Sequence, residues 1–414
     1  MTKQIPRGYK QTKLGVIPED WEVVKLGKIA KFIGGGTPST KHVDFWSGHI
    51  PWISSSDLIE NDIRYINTTR FITTEAINNS ATKIIPENSV LIVSRVGVGK
   101  IAVNKQALCT SQDFQSAILE NDNSYFFAYL LQLKTKKLIE LNQGTSIKGL
   151  VKDDLSSLVV NRPPLKEQEK IAEILSTWDE AITKQEQLIK QKQVFKKGVM
   201  QQIFSQKIRF KDCNGNDYPT WQNSTLEKIA IFSKGKSISK SDISAEGTIK
   251  CIRYGELYTR YREVVKKVFS KTNIDKQQLV FSDINDVIMP ASGETASDIA
   301  TASCILESGI AIGGDINIIR SKLNGIFLSY YLNLIKKCEI ASLSQGNSVV
   351  HLYATQLKQI QISFPTNMEQ DKIADFLIEI DDEISKQTEQ LNQLNLQKQS
   401  LMQKLLTGQV RALK

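Results

Sequence analysis

The sequence is poor in the residues that build metal centres and covalent staples, with 5 cysteines and 3 histidines in 414 residues. Cys109, Cys213, Cys251, Cys304 and Cys338 lie far apart without a Cys-x-x-Cys pair, a pattern that fits reduced thiols better than a disulfide framework. His42, His49 and His351 stand at no metal-ligand spacing, so no structural metal is expected. Long apolar runs are missing too. The longest, such as Val90–Val93, fall far short of the ~20 residues of a membrane span. No apolar stretch follows the basic residues 1–10, so no secretion signal is expected and the chain reads as soluble and cytoplasmic. The hydrolase pattern Gly-x-Ser-x-Gly and the zinc-protease pattern His-Glu-x-x-His are both absent.

What is present is a chain able to bury cores, 41% hydrophobic and 23% charged. At ~150 residues per domain its length suggests two or three domains. Lys and Arg number 53 against 44 Asp and Glu, a net charge of +9. That balance is compatible with a polyanionic partner but discriminates weakly by itself.

The chain is a duplicated unit, and such repeats decide architecture. Trp21, Leu26, Lys28, Ile29 and Ala30 recur as Trp221, Leu226, Lys228, Ile229 and Ala230. Gln143-Gly144 and Glu167-Gln168 recur as Gln345-Gly346 and Glu369-Gln370, at an offset of 202. Between these anchors the copies diverge. Residues 37–66 carry Phe45-Trp46-Ser47-Gly48-His49-Ile50-Pro51-Trp52, whereas the second copy reads Cys251-Ile252-Arg253-Tyr254-Gly255-Glu256. One scaffold thus carries two variable regions, where differing specificity would be placed. Each copy predicts short β-branched strands (90–94, 101–103, 287–289, 311–313), a helix (125–141, 326–343), a strand (158–160, 360–364) and a proline break before a long helix.

Those long helices, over 166–206 and 369–407, have a seam spaced alternately four and three residues apart. It runs Ile171, Leu175, Trp178, Ile182, Gln185, Ile189, Lys192, Lys196, Val199 and Ile203, and 202 residues later from Ile373 to Leu405. Charge sets the direction of pairing. Residues 166–186 hold six acids and three lysines, and 187–206 four lysines and no acid. Residues 369–389 hold eight acids and two lysines, and 390–407 two lysines and no acid. An antiparallel pair sets acid against base at both ends, which a parallel pair cannot do. The alternative, each helix packing only on its own globular domain, leaves the shared seam register unexplained. The fold expected is α+β: two strand-rich globular domains, each followed by a long helix, the helices pairing as an antiparallel coiled coil with pseudo-two-fold symmetry. Such a pseudo-dimer suits duplex DNA, whose half-sites one helical turn apart lie ~34 Å from each other.

Gly35-Gly36-Thr37-Pro38-Ser39 with Phe45–Ser54, and Ser94-Arg95-Val96-Gly97-Val98-Gly99-Lys100, resemble one class of target recognition domain in the specificity subunits of type I restriction-modification enzymes, and the chain as a whole resembles such a subunit. Ile252–Tyr258 and Pro290-Ala291-Ser292-Gly293-Glu294-Thr295 resemble a second. Pro164-Leu165, Glu167-Gln168 and Lys170-Ile171-Ala172 resemble the family's helix start, and Leu405-Leu406-Thr407-Gly408 its helix end. On this basis residues 1–20 are an N-terminal arm and 21–162 the first recognition domain. Residues 163–208 are the first spacer helix, 209–364 the second recognition domain, and 365–414 the second spacer helix and tail. The resemblance implies that each recognition domain reads half of a split, asymmetric DNA site and that the helix pair sets the gap. It implies docking of two adenine methyltransferase subunits that use S-adenosylmethionine, and joining of restriction subunits with an ATP-driven motor. S-adenosylmethionine, ATP and Mg2+ belong to those partners, none to this chain, which catalyses nothing itself.

Arg, Asn, Gln and Ser read groove edges, while Lys and backbone amides hold phosphates. The loop candidates are Arg64, Arg70, Arg95, Lys100, Thr145, Ser146 and Lys148 in the first copy, and Arg253, Tyr254, Arg260, Arg262, Ser292 and Ser348 in the second. Trp46 and Trp52 read as core or interface, and Trp21 and Trp221 as packing of the frame. Asn161-Arg162-Pro163-Pro164 has an intruding arginine and lacks the aromatic of a methyltransferase motif; it sits where helix-start prolines belong. Gly97-Val98-Gly99-Lys100 lacks the Ser/Thr of a phosphate loop. From a different class, a non-enzymatic scaffold whose dissimilar domains grip protein or carbohydrate across a coiled coil would fit the same repeat. A salt-insensitive complex retaining no duplex would favour it.

Overall fold

A strand with apolar residues on both faces must be covered on both. The computed structural model, which describes residues 5–141, 149–346 and 349–413, builds each core in that way. The chain divides into two units: residues 1–187 with 388–414, and residues 188–387.

In the first unit an antiparallel sheet runs in the order Ala30–Gly34, Phe114–Leu119, Val90–Val93, Ile101–Val103. Val90 and Ile92 share a core with Phe126, Phe127 and Leu130 of the helix Ser124–Leu141. Leu91 and Val93, pointing the other way, share one with Ile53, Ile85 and Leu108 of a second sheet. That sheet runs Arg70–Ile72, Ile50–Ile53, Leu108–Thr110, Ile84–Ile85, its middle pair parallel. Glu22–Lys25 pairs with Val159–Arg162 beneath, and a hairpin, Tyr9–Thr12 with Gly15–Pro18, precedes them.

The second unit repeats the layering. Its main sheet runs Ala230–Lys234, Ile316–Ser321, Val287–Pro290, Ser303–Ile305, Val264–Val265. Val287 and Met289 pack with Phe327 and Leu328 on the helix side, and Ile288 with Ile252 and Ile312 on the other. The expected helix over 326–343 is instead Gly325–Tyr331, a π turn Leu332–Lys336, and Lys337–Leu343. The cause is a one-residue insertion. The offset between copies is 201 at Asn123 and Asn324 but 202 at Gln143 and Gln345, and a π turn absorbs one extra residue without breaking the helix. The Asn333 side chain lies in this turn and holds both Ala302 N (2.7 Å) and Ala302 O (2.8 Å).

The long helices are Leu165–Phe204 and Asn367–Leu406, of 40 residues each, or roughly 60 Å. Every seam position named from the sequence is buried or half-buried, while Lys184, Glu186, Lys190 and Lys197 between them are exposed. Within the first unit Ile171 and Leu175 pack near Leu405 and Met402, and Asp179 pairs with Lys398. Within the second, Lys192 pairs with Glu383 (2.5 Å) and Lys196 with Asp381 (2.7 Å). Rising numbers on one helix meet falling numbers on the other, so the pairing is antiparallel, as the charge gradient requires. Among the described residues no helix is long and apolar enough to cross a membrane, and no cluster of His, Cys, Asp and Glu is placed to hold a metal.

Candidate nucleic-acid interface

Equivalent glycines gather the loops at the end of each sandwich. A Cβ on Gly35 would lie 2.1 Å from Ser111 O, and one on Gly235 would lie 2.1 Å from Gly313 O. Only glycine permits this approach, which lets Gly36 N donate to Thr110 O (2.8 Å) and Lys236 N to Ile312 O (2.9 Å). The segments after Ile53 and Ile252 then turn through matching caps. Ser54 N donates to Asp57 Oδ2 (2.7 Å) and Arg253 N to Glu256 Oε2 (3.0 Å).

Strand pairing aligns the two variable regions residue by residue. Trp52 stands opposite Arg70 in one sheet and Cys251 opposite Ser270 in the other. Position 70 therefore corresponds to 270, and 54 to 253. In the first unit Arg70 crosses from its strand to Ser54 Oγ (2.8 Å) and Asp57, its guanidinium 4.6 Å from the Trp52 ring centre. In the second unit Ser270 Oγ donates to Glu256 (2.5 Å), and the arginine comes from the loop itself as Arg253, whose Nε is buried without a hydrogen-bond partner. The acid is kept; the cation has moved from a strand to the loop.

A second loop, 94–100, turns on Gly97 (φ 83°) and Gly99 (φ 99°). Lys100 Nζ donates to Ser55 O (3.1 Å) and Leu58 O (2.9 Å), tying this loop to the first. Arg95 and Val96 stand exposed at its tip, and among the described residues Arg95 has no hydrogen bond or ion pair. Gly149 approaches so closely that its Cβ would lie 2.3 Å from Ser94 O. In the second unit the corresponding Ser292-Gly293 pairs with Val350–His351. That ladder buries Ser292, so its side chain is not presented at the surface. His351 and Tyr353 stack with ring centres 6.3 Å apart, and Tyr353 is exposed.

The remaining sequence candidates are dispersed. Arg64 pairs with Glu180 of the first long helix at 2.8 Å and so faces the helix, away from the loop cluster. Tyr254 is exposed at the start of the helix Tyr254–Thr259; Arg260 lies 5.8 Å over the Phe269 ring; the Arg262 side chain is exposed. Thr145, Ser146, Lys148 and Ser348 lie outside the described residues. Trp52 is buried and Trp46 half-buried, edge to face at 5.0 Å, as core residues. Burial pushes the Cys109 and Cys251 thiols up to about 11, with the Glu256 carboxylate adding to the second, so neither is a nucleophile at neutral pH.

The sequence did not reveal how the long helices are fastened. Glu167 accepts from Trp21 Nε1 (2.9 Å), from Arg411 Nε and Nη2 (both 2.8 Å) and from Ala412 N (3.2 Å). In the second unit Glu369 accepts from Arg209 Nε (3.1 Å) and Nη2 (2.5 Å). Both partners recur at the 202-residue offset, Glu167 with Glu369 and Arg209 with Arg411, which is the signal that could have found them.

The profile of the type I restriction modification DNA specificity domain matches residues 18–215 and again 218–396. The chain is 25% identical over 427 residues to the type I restriction enzyme MjaIX specificity subunit of Methanocaldococcus jannaschii, covering 97% of this chain and 96% of that protein. Two solved structures share the fold. One, from work on complex assembly and conformational transition of the type I R-M system, has a TM-score of 0.61 at 14% identity, covering 95% of this chain and 99% of that one. The other, a type I restriction-modification S subunit from M. genitalium, has a TM-score of 0.58 at 15% identity, covering 93% and 96%. With two copies of the domain over nearly its whole length, the chain belongs to the type I restriction-modification DNA specificity family.

Proposed function

We propose that each unit reads one half of a split, asymmetric DNA site and that the antiparallel helix pair sets the gap between the halves. The helices also dock two adenine methyltransferase subunits, and restriction subunits join that assembly. S-adenosylmethionine, ATP and Mg2+ serve the partner subunits, and this chain supplies recognition alone. The reading residues are Arg95, Arg253, Tyr254, Arg260 and Arg262, with Thr145, Ser146, Lys148 and Ser348. Arg70 and Lys100 hold the loops that present them.

The observation that carries this reading is the contrast between frame and loops. The seam and the Glu–Arg ties at the helix ends recur at an offset of 202, while the loop that keeps its capping acid takes its arginine from a neighbouring strand in the first unit and from its own first residue in the second. Such a change alters where a guanidinium fork is offered to a base edge without disturbing the layers beneath. The test is exchange of residues 37–120 for the equivalent segment of another family member, followed by mapping of methylated adenines with the partner subunits present. One half of the methylated site changes and the other stays. Change in both halves would overturn the modular reading.

A further inference from the structure

In each unit one half-buried carboxylate ties three helices together. Asp179, on the first long helix, accepts from the Tyr129 hydroxyl of Ser124–Leu141 and from Lys398 Nζ of the second long helix. Lys398 Nζ also lies 5.5 Å over the Tyr129 ring. The side chains of Asp179 and Lys398 are 14% and 10% exposed. In the second unit the helix roles reverse and the chemistry does not. Asp381, on the second long helix, accepts from the Tyr330 hydroxyl and from Lys196 of the first, at 2.7 Å. Lys196 Nζ lies 4.9 Å over the Tyr330 ring and 3.7 Å from Glu263. Burial, and then the adjacent aspartate, push both phenols well above the usual tyrosine range, so each stays a donor.

A buried ion pair is a weak source of stability, because desolvation consumes most of the Coulombic gain. Its best-attested use between helices is to specify register. The rest of this seam is mostly apolar and repeats by heptads, so a slip of one heptad, ~10 Å, sets like against like almost everywhere. A lysine opposite an aspartate has no such alternative. Hydrogen-bond distances vary by only a few tenths of an ångström, whereas one residue of slip is about 1.5 Å. The tyrosine extends the constraint from the helix pair to the globular part, whose sheet packs directly on the tyrosine's helix.

We propose that Tyr129–Asp179–Lys398 and Tyr330–Asp381–Lys196 are register locks. They are positioning residues that hold each reading surface at one axial setting on its helices, so that the protein accepts a single gap between half-sites. The proposal rests on the bipartite reading above. A slip of one heptad, ~10 Å, is close to three base pairs at ~3.4 Å each, so a loosened lock is read out as tolerance of gaps three base pairs away.

The test is methylation by the assembled protein and its methyltransferase subunits on duplexes whose gap is the preferred length or three base pairs shorter or longer. The wild type discriminates at least a hundredfold. D179N and D381N bring both other gaps within about tenfold of the preferred one, and the double variant relaxes further. K398R, which keeps cation and partner, retains wild-type discrimination. Y129F, which leaves the ion pair intact and the fold undisturbed, relaxes discrimination severalfold, so the proposal stays open to refutation even where an aspartate variant fails to assemble. Lower thermal stability with unchanged discrimination in these variants would overturn the locks and leave the bipartite reading standing. A wild type with no preferred gap would overturn that reading itself.

Discussion

The two units fasten their long helices with the same parts but not equally well. In the first, Glu167 is buried under Trp21 Nε1, the Arg411 fork and a backbone amide, and Arg411 also reaches Asp20. In the second, Glu369 has the Arg209 fork, while Trp221 Nε1 is buried without a partner. The helix ends differ likewise. Gly408 takes the left-handed cap (φ 75°) in one, and Gln206 must take it (φ 61°) in the other. The joints have drifted by single hydrogen bonds and single residues, whereas the reading loops have been rebuilt. Sequence freedom in this scaffold is therefore graded: smallest at layers and seam, modest at clasps, largest at the loop ends of the sandwiches.

Breaking the clasps tests that grading most strongly. Glu167→Gln removes the charge that Arg411 and Trp21 share, and it destabilises the first unit by about 3 kcal/mol in urea unfolding. Glu369→Gln affects fewer donors and costs roughly 1 kcal/mol less. Equal losses would show the extra partners of Glu167 to be idle. The helix ends give a smaller and opposite pair of effects. Gln206→Gly relieves a left-handed non-glycine residue and raises stability by about 1 kcal/mol. Gly408→Ala does the reverse by about 1–2 kcal/mol, because its Cβ would also lie 2.5 Å from Pro18 Cδ.

Much of this architecture was legible in the sequence because its signals are local or periodic. The long helices were placed to within about two residues at each end, and their antiparallel sense followed from segregated charge. Strands such as Ile101–Val103 followed from short apolar runs broken by Gly, Ser and Asn. What stayed hidden depends on pairing between distant segments. Lys196 was visible as a seam position, but the partner aspartates Asp179 and Asp381 lie one step off the seam, and the tyrosines lie some fifty residues earlier. The shift of the arginine from position 70 to 253 required the strand register. Arg64 was a reasonable loop cation by composition, yet Glu180 more than a hundred residues away claims it. The division of the chain illustrates the same point. Domain boundaries drawn at helix starts treat each helix as one piece, whereas packing divides both helices near their midpoints.

The most direct measurement of the central claim lengthens the spacer. One heptad inserted after Gln187 and one after Gln387 preserves the seam and adds about 10 Å to each helix. Mapping of methylated adenines with the partner subunits present is predicted to show both half-sites unchanged and separated by about three additional base pairs. An unchanged gap, or altered half-sites, would contradict the account.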